Sequence, residues 1–118
     1  MSSCKSLISF FVTAALFGLS HSSDVKAETT RYKLEADMIA PDVFVFWGKQ
    51  ESFSRENGAN IVNTGFIVGK EAILAIDTGP TRLYAKEMIE AIKAVSPIPI
   101  RYAVVTHHHG DHAFGIHT

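Results

Sequence analysis

At 118 residues the chain has room for one domain and not for two. Eleven Lys/Arg against twelve Asp/Glu give a formal charge of −1, which excludes an electrostatic surplus for nucleic acid or an anionic membrane surface. The single cysteine, Cys4, excludes an intrachain disulfide framework.

The N-terminus reads as a leader. Lys5 supplies a positive n-region, Leu7–Leu19 is an uncharged apolar run of 13 residues, and Val25-Lys26-Ala27 places small residues at −3 and −1 of a cleavage site. The run is short for a bilayer span. An uncleaved anchor or a buried helix is the competing reading. The order of the three regions favours a secretory signal over 1–27 and a domain over 28–118 that is exported to the periplasm or beyond. After cleavage no membrane anchor and no cysteine would remain. Nine Lys/Arg and eleven Asp/Glu would stay, together with five of the six histidines, all between 107 and 117.

Along the rest of the chain, Tyr32–Ala36 alternates weakly and is expected to open a strand. Pro41-Asp42 makes a turn, and the β-branched and aromatic Val43–Trp47 makes a strand. Gln50–Asn60 is polar and contains the turn signal Asn57-Gly58. Asn60–Val68 and Glu71–Ile76, joined across Gly69-Lys70, form a hairpin candidate. Asp77-Thr78-Gly79-Pro80 then breaks the pattern. Thr81–Ser96 is a helix with Thr81 as N-cap and Pro97 and Pro99 as stops. Its apolar stripe is Ala85, Met88, Ile89, Ile92 and Val95, with Arg82, Lys86, Glu90 and Lys93 on the other side. Arg101–Thr106 is nearly all apolar and reads as a strand buried on both faces. Strands, a crossover helix and a further strand give α/β or α+β layering of helices on a sheet.

The chemistry sits immediately after that last strand. Residues 106–112 read Thr-His-His-His-Gly-Asp-His. In extended chain, i and i+2 point the same way, so His107 and His109 can address one ion while His108 points away. Gly110 lets the backbone turn. Asp111 and His112 can then face a second ion. Imidazoles and a carboxylate suit zinc, with iron, manganese and nickel as alternatives. Two such ions about 3.5–4 Å apart activate a bridging water, so the motif reads as half of a dinuclear hydrolytic site. A solvated loop with surplus histidines, or a tag-like tract, is the bland alternative. The interposed Gly110-Asp111 and the preceding apolar strand argue against it.

These residues resemble the metallo-β-lactamase fold superfamily of hydrolases. His107-x-His109-x-Asp111-His112 matches its metal motif at every defined position. Asn63–Gly69 with Ala72–Gly79 is similar to its N-terminal hairpin ending in an Asp-x-Gly turn, and the helix and following strand fall at its first crossover. The likeness covers nearly all of 32–118. It implies the N-terminal half of an αββα sandwich. It also implies that His107 and His109 bind a first metal ion and Asp111 and His112 a second, with zinc the usual metal. Asp111 would hold the attacking hydroxide and act as the catalytic carboxylate. A third histidine for the first ion, and a bridging Asp and a final His for the second, would lie further along the family domain. The chain given ends six residues after His112. His117 is expected on the surface.

Three readings compete for single residues. Asp111 could instead cap a helix. Asp77 invites a catalytic role, but accepting backbone N–H bonds in the Thr78-Gly79 turn is its expected one. Trp47, Phe44 and Phe46 could line a pocket, although strand aromatics belong first to the core. The whole chain is thus expected to be part of an exported metal-dependent hydrolase acting on a small molecule, and to have negligible activity by itself. A small exported metal-binding protein, or a truncated product without function, is the alternative.

Overall fold

The computed structural model describes residues 31–118; the leader expected over 1–27 lies outside the described residues. Five strands form one mixed sheet in the order of the chain: β1 (Asp37–Ala40), β2 (Val43–Phe46), β3 (Thr64–Val68), β4 (Ile73–Ile76) and β5 (Ile100–Val104). β1 to β4 are an antiparallel meander. Helix α1 (Arg82–Val95) carries the chain back so that β5 pairs parallel to β4, with Ile76 opposite Val104. A one-turn helix, α2 (Gly110–Ala113), follows the histidine loop. The mixed α/β class read from the sequence is the one observed.

The core lies between α1 and one face of the sheet. Phe46, Phe66, Ile73 and Ala75 come from the strands, and Tyr84, Met88 and Ile92 from the helix. Phe44 stacks on Phe66 with ring centroids 4.6 Å apart. Thr81 caps α1, its hydroxyl accepting the Tyr84 N–H at 3.0 Å, and Lys93 sits in the last turn, where a cation complements the helix dipole. Of the expected stripe, Ala85, Met88 and Ile92 are buried, whereas Val95, the last helical residue, is 41% exposed. Tyr84, outside the expected stripe, is completely buried. Its hydroxyl pairs with that of Thr64 at 2.9 Å.

Several boundaries differ from those expected. The segment 32–36 does not pair as a strand, because its groups are used elsewhere. Tyr32 packs edge-on against Tyr84 at 5.0 Å, and Lys33, at φ 52°, donates its N–H to Glu87. β3 starts at Thr64 rather than Asn60, because Asn60 O takes the Lys49 N–H and the Asn63 side chain takes the Gly48 N–H. β5 is not buried on both faces: Tyr102 is 63% and Val104 44% exposed. It lies at the end of the strand order, so among the described residues it has a neighbour on one side only.

Candidate metal centre

The parallel pairing of β4 and β5 sets their carboxyl ends side by side, and the site grows from those two ends. The ladder runs one step beyond β4, with Asp77 N–H donating to Val104 O at 2.8 Å. Asp77 then turns the chain with φ 56°, a left-handed conformation that Asp tolerates better than most residues. Its carboxylate is thereby aimed across at the segment leaving β5. One oxygen accepts the Thr106 N–H at 2.8 Å, and the other accepts the Thr106 hydroxyl at 2.9 Å and His112 Nδ1–H at 2.8 Å. Asp77 is a structural carboxylate, as expected, but its partners are not those of the Thr78-Gly79 turn. It fastens the histidine loop instead.

The same turn also seats α2. Thr78 N–H donates to His112 O at 2.8 Å, and Gly115 N–H to Gly79 O at 3.2 Å. Gly115 is held there by lack of space, since a Cβ on it would lie 2.0 Å from Thr78 O. Gly110 has ordinary helical backbone rather than a special turn. A Cβ there would press on the Phe114 ring at 2.5 Å, so clearance is its role. Asp111 does not cap α2. The N-cap position is His109, without a side-chain cap bond, and Asp111 lies in the first turn.

These contacts fix where protons sit. Burial opposes the charge on Asp77, but the bonds from Thr106 and His112 outweigh it and hold its carboxyl below the ordinary 3.8. An ionised carboxylate only accepts, so His112 carries a proton on Nδ1, and in the neutral ring Nε2 is then the lone pair. The Thr106 hydroxyl gives its proton to Asp77 and therefore accepts from His107 Nδ1 at 3.0 Å. In the neutral His107 ring Nε2 is then also a lone pair. It faces His109 Nδ1 at 3.2 Å.

That distance tests whether the donors suit a metal. Two nitrogens held at ~2.0–2.1 Å by one tetrahedral zinc stand ~3.3–3.4 Å apart. His107 Nε2 and His109 Nδ1 are close to this spacing before any ion is considered. Asp111 Oδ2 and His112 Nε2 are 3.9 Å apart, a looser pair on the next turn of chain. The His107 and His112 rings lie 4.0 Å apart, so the two pairs adjoin. No group of three or more His, Cys, Asp or Glu converges on one ion position among the described residues. The four expected ligands lie near one another as two adjoining pairs, without a common ion position. His108 is exposed and stacks edge-on against His109, and His117 is exposed. Thr106 is the functional residue that sequence reasoning missed. Its position just before the motif was visible, but nothing marked it as the link between Asp77 and His107.

Of the aromatic residues expected either in the core or at a pocket, Phe46 and Phe44 belong to the core. Trp47 is 58% exposed, and its indole N–H donates to Asp37 at 2.9 Å.

A family model described as the metallo-beta-lactamase superfamily matches residues 57–118. Among solved structures the chain is similar to TMB-1, whose description concerns substrate and inhibitor binding. Identity is 22% and the TM-score 0.54, over 71% of this chain and 37% of that one. At this identity the likeness shows the fold. The chain thus spans a little over a third of the length of the TMB-1 chain. No curated protein matches it.

Proposed function

Because this chain belongs to the metallo-beta-lactamase superfamily, we propose that its 107–112 loop supplies ligands to an exported metal-dependent hydrolase acting on a small molecule, with zinc the best-suited metal. Residues 28–118 are then the ligand-bearing first part of that domain, and the leader pattern over 1–27 supports delivery to the periplasm or the exterior. The observation that carries the reading is the pairing of His107 Nε2 and His109 Nδ1 at 3.2 Å.

His107 and His109 would hold one ion, and Asp111 and His112 a second. When bound, zinc supplies Lewis acidity and brings the pKa of water toward neutrality. The remaining work belongs to the protein. Asp77 keeps the His112 proton on Nδ1 and, through Thr106, the His107 proton on Nδ1, so both Nε2 atoms face the site unprotonated. The Asp111 side chain is one-quarter exposed at the mouth of the site, where it can orient water and take its proton. Further ligands from outside these residues would complete both coordination shells.

Calorimetric zinc titration of the chain and of H107A, H109A and H112A variants tests this. Binding should occur in the parent, fail in the first two variants and weaken in the third. Undiminished zinc affinity in H107A and H109A would overturn the assignment.

A further inference from the structure

The connection between β2 and β3 turns on Asn57-Gly58. Of the three asparagines, Asn57 alone precedes a glycine. Glycine has no Cβ to shield its nitrogen, so Gly58 N is an unhindered nucleophile toward the Asn57 carboxamide carbon. The Gly58 nitrogen gives up its proton to water and bonds to Asn57 Cγ, while the Cγ–Nδ2 bond breaks and ammonia leaves. Water then opens the cyclic imide. Opening at Cγ leaves an ordinary aspartate. Opening at the main-chain carbonyl leaves an isoaspartate, whose backbone is one methylene longer. The net change consumes one water and releases one ammonia, with no oxidant or reductant.

The fold opposes each part of this reaction. Asn57 is 4% exposed, and its Oδ1 accepts the Ser54 and Ala59 N–H groups at 3.1 and 3.0 Å. Nδ2, the leaving group, donates to Ser52 O at 2.8 Å and to the Glu51 carboxylate at 3.2 Å. The attacking nitrogen is engaged too, since Gly58 N–H donates to Arg55 O at 3.2 Å. The Tyr32 hydroxyl donates to Gly58 O at 2.8 Å and pairs with the Thr81 hydroxyl at 3.0 Å, which ties the turn to the N-cap of α1. Attack therefore waits for the turn to open. The product cannot close it again. A second oxygen stands where Nδ2 stood and meets two acceptors, one of them the Glu51 carboxylate. We propose that Asn57-Gly58 is a modification site, deamidated by water only when the β2–β3 connection opens and holding it open thereafter. No metal takes part, so the site stands independently of the hydrolytic reading.

The 118-residue chain is aged in EDTA at mildly alkaline pH, folded and in guanidinium chloride, and tryptic peptide 56–70 is mapped by mass spectrometry. In denaturant, conversion should occur at Asn57 and spare Asn60 and Asn63, whose next residues are β-branched. In the folded chain it should be at least about tenfold slower, the share of time the turn is closed. Tyr32→Phe, which keeps the ring and removes the hydroxyl, should speed the folded reaction about threefold or more and leave the denatured one unchanged. Asn57→Asp reproduces one product. It should melt about 4–8 °C below the parent and exchange the Ser54 and Ala59 amides faster. Adding Glu51→Gln should recover part of that loss, because the new amide can donate to the carboxylate. Equal rates in the folded and denatured chain, or an Asn57→Asp chain with the parent's melting point and exchange, overturns the proposal. The rate comparison decides alone where Asn57→Asp does not fold.

Discussion

Replacing Asp77 by Asn isolates the carboxylate that organises the site. Asn tolerates the left-handed backbone at φ 56°, so the turn survives, and the amide oxygen can still accept the Thr106 N–H. The amide nitrogen takes the place of the other oxygen. There it meets His112 Nδ1–H, a donor facing a donor at a position now occupied at 2.8 Å. Thr106 can rotate its hydroxyl, but His112 can relieve the clash only by moving its proton to Nε2. Hydrogen bonds to a charged acceptor are worth ~1.5–3 kcal/mol, and Asp77 is 3% exposed, so solvent screens little of that loss. A destabilisation of ~2 kcal/mol lowers Tm by roughly 8–16 °C in a domain of this size. Zinc affinity should fall ~10–100-fold as His112 Nε2 ceases to be a lone pair. Thermal unfolding in EDTA and long-range nitrogen–proton spectra of the His112 ring read the two effects separately. The folded-state pKa of Asp77 is depressed, so its contribution is complete above the ordinary carboxyl pKa of 3.8 and lost as pH falls through the lower folded value. Parent and variant should therefore converge in stability only below about pH 4. A variant melting within about 2 °C of the parent, with the His112 proton still on Nδ1, would refute the assigned role.

Four further outcomes follow from the same contacts. Gly115→Ala should cost about 1–3 kcal/mol by thermal melt, because Thr78 O is backbone and cannot yield; Gly110→Ala should cost less, because the Phe114 ring it meets can swing aside. Burial raises the Tyr84 hydroxyl to about 12, more than its bond to Thr64 lowers it. The resulting stability, on the order of 3 kcal/mol, is complete below pH 10 and lost as pH rises toward about 12. Tyr84→Phe should remove that alkaline decline from the melting curves, at a cost of ~1–3 kcal/mol at neutral pH for the unpartnered Thr64. His109 should carry its proton on Nδ1 without metal, donating to His107 Nε2, and on Nε2 with zinc, a change visible in the same ring spectra. Purified 118-residue chain should show negligible turnover of hydrolysable esters and lactams even with zinc added, because two ligand pairs leave both ions open; enzyme-like rates would contradict this.

What the sequence disclosed was what local periodicity and spacing can encode. The α1 stripe, the hairpin across Gly69-Lys70 and the His-x-His-x-Asp-His spacing are all relations within a few residues, and each has its own physical signature. Tyr84 escaped because its burial depends on Thr64, twenty residues earlier in the chain and on another layer. Thr106 escaped for a similar reason: its hydroxyl matters only because Asp77, 29 residues earlier, turns toward it. The apolar composition of β5 marked a strand but could not say whether anything covers it, and in this structure Tyr102 and Val104 face solvent.

The site depends on topology more than on any single ligand. Had the chain returned from β4 through another tight turn, β5 would run antiparallel and its carboxyl end would lie at the opposite edge of the sheet from Asp77. The length of α1 permits the parallel return, which brings Ile76 opposite Val104 and so sets Asp77 beside Thr106. Only then can one carboxylate orient two histidines that lie on either side of a turn. The glycine at 115, the left-handed Asp77 and the capped start of α1 are each local devices. Their common effect is to hold the β4 end, the β5 end and α2 at one point, and that junction is what turns a run of histidines into a directed set of lone pairs.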